Sequence, residues 1–183
     1  MRITGGEKKG KIIKDVGVSL TRYTPAKVRE AMFYILMPLI NGADVLDGFC
    51  GSGIIGIEAL SRQAKACTFV DISKKAVLTA KYNVSKANYK DRGSVLKKDI
   101  FKYLLTERHR FDIAFFDPPY NREYVNKLLK ILDNTSIITD NGVIIVERSK
   151  HETPSYHLKR LECYDERRYG DTVLNFLHFT LSN

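Results

Sequence analysis

The sequence predicts an α/β protein built on a mostly parallel seven-stranded sheet that ends in an antiparallel hairpin. Three observations lead there. From Asp44 to Glu147, short apolar runs alternate with amphipathic segments, the rhythm of a parallel sheet covered by helices on both faces. Acids stand at or just past the ends of the strand-like runs, at Asp47, Asp71, Asp99 and Asp117, where open α/β sheets bind ligands. The last part of the chain changes character: residues 157–168 and 172–180 flank Tyr169-Gly170-Asp171, two β-prone segments around a tight turn.

The elements follow in order. Residues 1–18 hold short β-prone pieces among Gly5, Gly6, Gly10 and Gly17. They read as a small hairpin or arm, so the expected division is an arm of residues 1–23 ahead of a main domain of residues 24–183. Thr24-Pro25 offers a helix cap and a first-turn proline. Val28, Met32, Ile35, Leu36 and Leu39 then recur at helical spacing, with Arg29, Glu30 and Phe33 on the other face. Strands are expected at 45–47, 66–71, 94–96, 111–116 and 142–147, and helices at 53–62, 73–88 and 121–132. Ser73 is placed to cap the second of these helices, and Ala76, Val77, Ala80 and Val84 turn inward. The run Val173–Leu177 is apolar enough to be buried on both faces.

Size and composition narrow the classes. A chain of 183 residues favours one domain. At that length folding buries roughly 70% of the unfolded chain's surface, so no covalent staple is needed. The three cysteines are scattered and form no CxxC pair, and the four histidines lack metal-ligand spacing. No apolar stretch approaches the roughly 20 residues that span a bilayer. A metal-free, monomeric, cytoplasmic protein is expected. The formal charge is +9, and residues 1–30 carry eight basic against three acidic residues. That skew suits a nucleic-acid partner, although a solvated basic face fits the charge equally well.

Asp117-Pro118-Pro119-Tyr120 is the most telling motif. It ends the apolar run 111–116, and neither proline can donate to a sheet ladder. The Asp-Pro step also keeps residue 117 out of the helical region. A rigid elbow results, holding a carboxylate, backbone carbonyls and an aromatic ring together. Oxygens there can accept the N–H groups of a planar amine while the ring stacks on its face, which suits methyl transfer to an exocyclic base nitrogen.

Gly51-Ser52-Gly53-Ile54-Ile55-Gly56 spells GxGxxG, and Asp71 lies 20 residues beyond Gly51. This spacing fits a dinucleotide, with the acid on a ribose. It also fits S-adenosylmethionine (AdoMet), which has no phosphate but carries an amine and a sulfonium. Asp47, just before the glycines, favours the cation and would repel a pyrophosphate. Asp71 would hold the ribose hydroxyls and Asp99 the adenine amino group. A lone strand-end aspartate is often only a helix cap. Four flanking one crevice, Asp117 among them, favour AdoMet over NAD. Cys50, inside the loop, reads as a small filler residue.

With these motifs, the chain resembles the RsmD family of bacterial small-subunit ribosomal RNA guanine-N2 methyltransferases. The resemblance rests on Val45–Gly53, Gly56–Arg62 and Asp117–Tyr120, and on Met1–Gly6, Thr21–Phe33, Asn83 and Tyr169–Thr172. It implies a Rossmann-like AdoMet-dependent methyltransferase fold and transfer of a methyl group to the N2 of a guanine in 16S ribosomal RNA. The implied cofactor-binding residues are Asp47, Phe49, Gly51, Ser52, Gly53, Asp71, Ile72, Asp99 and Ile100. The catalytic set is Asp117, Pro118, Pro119 and Tyr120. Lys8, Lys9, Lys11, Arg22, Arg29 and Arg148 are the candidate contacts to ribosomal RNA, naked or within an assembling small-subunit particle. The box alone leaves adenine N6, or an amino group on DNA or protein, as alternative acceptors.

Overall fold

The computed structural model describes residues 1–17, 24–120, 123–155 and 157–180. Seven strands form one sheet in the order β3-β2-β1-β4-β5-β7-β6. They are β1 (Asp44–Gly48), β2 (Ala66–Asp71), β3 (Gly93–Lys97), β4 (Phe111–Phe116), β5 (Ile138–Ser149), β6 (Leu161–Tyr169) and β7 (Thr172–Phe179). The first five in spatial order run parallel. β7 enters antiparallel between β5 and β6, so the terminal hairpin closes one edge. The arrangement is Rossmann-like, as the sequence predicts. Strand order reverses between β1 and β4, and the carboxyl ends of these neighbours bound the crevice where such sheets bind ligands.

Helices cover both faces. On one lie α1 (Ala26–Ile35), the short α2 (Met37–Ile40), α3 (Ile54–Ser61) and α4 (Lys74–Lys86). Phe33, Ile57, Leu60, Phe69 and Phe115 share the core beneath them. On the other lie α5 (Ile100–Thr106) and α6 (Tyr124–Asp133), over Leu46, Phe116, Leu128, Leu132 and Leu177. The central strands are apolar on both sides because both sides are covered. Gly56 brings α3 close to β2: a Cβ there would meet the Phe69 ring at 2.3 Å and Cys67 Sγ at 2.5 Å.

Several elements differ from the sequence reading. α5 was not foreseen; it begins at Asp99, whose Oδ1 accepts from the N–H groups of Phe101 and Lys102. Thr24 does not cap α1. Pro25 occupies the cap position and the Thr24 hydroxyl donates to Glu147 Oε2 at 2.6 Å. Arg29 and Phe33, assigned to the outer face of α1, are buried, because the amino-terminal segment and β4 cover that side. β5 begins before residue 142, and β6 begins only at Leu161. The expected amino-terminal hairpin is present but short, one antiparallel bridge from Arg2 to Ile12 flanked by bonds from the Ile3 N–H to the Lys11 carbonyl and from the Ile13 N–H to the Met1 carbonyl. This segment packs down firmly: Ile3 and Ile13 enter the core under α3 and α4, and Asn83 binds both the N–H and the C=O of Lys14.

Candidate active site

The sheet sets five acids in a row. From one side to the other, Asp99, Asp71, Asp47, Asp117 and Glu147 stand at or just past the carboxyl ends of β3, β2, β1, β4 and β5. Register decides which face each uses. Asp47 pairs with Phe115, and Phe115 with Ile145. Asp47, Asp117 and Glu147 therefore point to the same face, the one carrying α1 and α3.

Asp47 is buried at 3% exposure, and its Oδ2 accepts the Gly56 N–H at 2.9 Å. Burial, with the Asp71 charge adding to it, pushes its carboxyl up to about 8. A carboxylate in such a place either keeps its proton or waits for a cation. The loop that follows turns back over the strand ends. Phe49, with φ of 58°, sits against Phe101 and stacks on Tyr124. Gly51 and Gly53 have φ of 54° and 77°, which side chains rarely adopt, and a Cβ on Gly51 would meet nothing within 4 Å. Ser52 is buried, and its Oγ has no hydrogen-bond partner among the described residues. Its carbonyl accepts from Asn83 Nδ2. Cys50 is buried too, and burial drives its thiol well up, as befits a filler rather than a nucleophile.

Asp71 is fixed by backbone alone: its oxygens accept from Gly51 N–H at 2.9 Å and Ser73 N–H at 2.8 Å. Ile72 beside it is 65% exposed, an apolar face at the rim of the crevice. Ile100, by contrast, is buried in the core under α5.

On the other side of the switch point, the Asp117-Pro118-Pro119-Tyr120 elbow leaves β4. Asp117 is half-buried, Pro118 buried and Pro119 exposed. Burial and the charges of Glu147 and Asp47 raise the Asp117 carboxyl well above the usual range. Glu147 was missed as a site residue. It is buried, accepts from the hydroxyls of Thr24 and Tyr120 at 2.6 and 3.1 Å, and is itself raised by desolvation. Its signal in the sequence was a single acid closing an otherwise apolar strand. Tyr120 is half-buried, with its hydroxyl anchored on Glu147.

The basic candidates among the described residues do not gather at this crevice. Arg29 is 2% exposed, and its guanidinium is spent on Glu58 Oε2 and the carbonyls of Thr24 and Arg2. Glu58, buried, also holds Arg62 and Thr4. Arg148 is likewise buried, bound to Asn175, Glu166 and the carbonyls of Ser149 and Glu152. Both are structural ties, which corrects the expectation that they reach RNA. Lys8, Lys9 and Lys11 lie in a turn docked on Ser61, Tyr89 and Arg92, residues that precede β2 and β3. That turn is at the amino-terminal edge of the sheet, opposite the acids. Arg22 lies outside the described residues. No helix among the described residues is long and apolar enough to cross a membrane, and no group of His, Cys, Asp or Glu there could hold a metal.

Comparison with known proteins places this site in a family. The family model described as Conserved hypothetical protein 95 matches residues 1–178. A candidate rRNA methyltransferase of Bacillus subtilis, YlbH, is 36% identical over 82% of this chain and 83% of its own length. Ribosomal RNA small subunit methyltransferase D of Buchnera aphidicola is 34% identical over 82% of this chain and 79% of its own. The solved structure of yhhF from Escherichia coli, described as a candidate methyltransferase, superposes with a TM-score of 0.84 at 26% identity, covering 98% of this chain and 97% of that one. The chain belongs to the Conserved hypothetical protein 95 family, the RsmD family that its motifs resemble.

Proposed function

We propose that the protein transfers a methyl group from AdoMet to the exocyclic N2 of a guanine in small-subunit ribosomal RNA. One observation carries the reading: the buried Asp47 and the half-buried Asp117 flank the switch point on one face of the sheet, with no cation of the described chain bound to either. A pyrophosphate would meet repulsion there, whereas a cationic donor and an amino acceptor complement the two acids. The relatives named for ribosomal RNA methylation support the substrate class.

The residues fit AdoMet. Asp47 is a buried carboxylate suited to an amine, Ser52 Oγ is a buried hydroxyl suited to a carboxylate, and Gly51 leaves open space beside them. Asp71 is held at the rim for ribose hydroxyls, next to exposed Ile72. Asp99 caps α5 through Oδ1 alone, which leaves Oδ2 to accept from the adenine amino group. AdoMet supplies an electrophilic methyl group on a sulfonium.

The chain's own residues do the rest. A guanine N2 lone pair is delocalised and weakly nucleophilic. The Asp117 carboxylate and the Pro118 carbonyl accept its two N–H bonds, which fixes the direction of attack and favours pyramidal nitrogen. As the N–C bond forms, the methyl group's bond to sulfur would break, its electron pair remaining on a neutral thioether, and the nitrogen becomes cationic and sheds a proton. Asp117 suits that proton because its surroundings raise its proton affinity. Glu147 holds Tyr120 through its hydroxyl, steadying a ring that stacks on the base. The base must leave its stack to enter, as in other base-modifying enzymes.

The test is incubation of purified protein and labelled AdoMet with small-subunit RNA from a strain lacking the gene, followed by nucleoside analysis. N2-methylguanosine is the expected product. Recovery of N6-methyladenosine would correct the acceptor, and NAD binding without AdoMet binding would overturn the reading.

A further inference from the structure

Beside the acidic crevice runs a second concavity that the methyl-transfer site does not use. It is a groove of about 570 Å³ between the outer face of α1 and the edge strand β6, lined by Lys27, Glu30, Tyr34 and Ile35 on one wall and Arg167 and Tyr169 on the other. Lys27, Glu30 and Tyr34 follow at i, i+3 and i+7, so they form one face of α1. Arg167 and Tyr169 are two apart on β6 and share a face.

Its position is informative. Arg167 pairs with Leu174, which pairs with Glu147. Arg167 thus lies two strands from Glu147 on the same face, roughly 10 Å away at ordinary strand spacing. Tyr169 ends β6 at the same edge of the sheet where the five acids stand. α1 begins beside Glu147, because Thr24 is bonded to it. The groove therefore starts at the rim of the crevice and leads away from it.

Its chemistry is that of a single-stranded nucleic-acid channel: two cations to meet phosphates, two tyrosine rings to stack bases, and one carboxylate to accept from an amino or ribose hydroxyl group. Tyr34 is 73% exposed on the groove wall, so its ring is open to a stacking partner. Arg167 also pairs with Asp165 at 2.9 Å, but the pair is open to solvent and screened. Charges on an edge strand are often explained as protection against sheet-to-sheet pairing. That accounts for Arg167 on β6; it does not account for Lys27 and Tyr34 facing it across a cavity.

We propose that the α1–β6 groove binds the nucleotide flanking the methylated base, as a stretch of unpaired RNA leaves the crevice. The inference rests on the methyl-transfer reading for the identity of the polymer. It assigns the local RNA grip to Lys27, Tyr34, Arg167 and Tyr169, in place of the buried Arg29 and Arg148. Enzymes that act on extruded bases draw context preference from such neighbours.

The test uses full-length protein with Lys27→Gln, Tyr34→Ala and, as a charge control on the exposed end of α6, Lys130→Gln. The altered side chains are exposed, and thermal melting and AdoMet titration confirm that each variant folds. Protein-free small-subunit RNA is the probe, in binding titrations across salt concentrations and in methyl-transfer kinetics. Lys27→Gln should weaken RNA binding and lower the slope of log K against log salt by about 1. Tyr34→Ala should raise KM for RNA roughly tenfold with kcat little changed, within the range for one stacked base. Lys130→Gln should match the parent protein. Unchanged RNA binding in both groove variants overturns the proposal. So does a defect seen only with ribosomal particles and not with protein-free RNA, which would assign the groove to a protein partner. If the parent protein binds RNA with these variant effects yet transfers no methyl group, the proposed function fails and the groove stands.

Discussion

The acids on the two sides of the switch point are held by different means. On the β1–β3 side, each one is fixed by backbone N–H groups: Asp47 by Gly56, Asp71 by Gly51 and Ser73, Asp99 by Phe101 and Lys102. On the β4–β5 side, Glu147 is fixed by the hydroxyls of Thr24 and Tyr120, and Asp117 is shaped by the charges around it. Backbone donors are set by the fold itself, which suits the first half to its proposed role as a rigid receptor for a constant ligand. Side-chain donors can turn, and neighbouring carboxyls exchange protons readily. The second half thus suits its proposed role, gripping an incoming base and handling a proton.

The largest expected effect separates the halves outright. Asp117→Ala should lower kcat by on the order of 10²–10³, the scale for losing one group that acts mainly in the transition state, while AdoMet affinity stays near that of the parent. Asp47→Asn should do the reverse at the level of binding, weakening AdoMet by about 2 kcal/mol or more, roughly 30-fold. Calorimetric titration beside single-turnover kinetics reads both. Loss of AdoMet binding in Asp117→Ala would erase the distinction between receptor and acceptor.

Glu147→Gln probes the second half more finely. The amide still accepts from Thr24 or Tyr120, but the Glu147 charge, which adds to burial in raising Asp117, is gone. The Asp117 carboxyl should then ionise more easily, and the acid limb of the kcat/KM profile should move to lower pH. An unmoved limb would show that Asp117 is not the group titrating.

Asp47 gives the first half its own pH signature. Its folded value of about 8 lies above the ordinary 3.8. Between those limits the unfolded chain has released a proton that the folded chain keeps, so stability of the ligand-free protein falls as pH rises through the window. Asp47→Asn should flatten that dependence and raise Tm at pH 8. Ligand binding has the opposite sign. A cationic amine demands the ionised carboxylate, so AdoMet affinity should climb about tenfold per pH unit up to about 8 and then fall as the ligand's own amine deprotonates. Proton release, measured calorimetrically in two buffers of different ionisation enthalpy, checks the linkage.

The legibility of the two halves differed as well. The first half was plain because its signals are local: apolar runs, glycines at fixed spacing, an acid at each strand end. Ser73 capped α4 as its position predicts. Asp99 capped a helix that was too short, at seven residues, to show a helical period. In the second half the Asp-Pro-Pro-Tyr elbow was equally local and equally visible. Glu147 was not, because its meaning depends on Thr24, 123 residues away in sequence. Arg29 failed for the same reason. It reads as an exposed helix charge, and it is buried against Glu58 only because the amino-terminal segment folds back over α1 and α3. Long-range polar closure leaves no periodic trace.

The smallest effect tests whether the first half is built for a ligand or merely packed. Ser52 is 2% exposed, and its hydroxyl has no partner among the described residues. A buried hydroxyl without a partner costs stability, on the order of 1–3 kcal/mol when fully desolvated. If it serves only the packing of the free fold, Ser52→Ala should lower the stability of the ligand-free protein and leave AdoMet affinity unchanged. If it donates to the cofactor's carboxylate, the same change should leave the ligand-free protein as stable or slightly more so, while weakening AdoMet roughly tenfold, the scale of one hydrogen bond to a charged group. The two measurements move in opposite directions only when the hydroxyl is held in reserve for the ligand. Denaturant melts with and without AdoMet distinguish the cases: a Ser52→Ala protein less stable when free but equally stabilised by cofactor would make Ser52 a packing residue, and the first half would owe its selectivity to Asp47 and Asp71 alone.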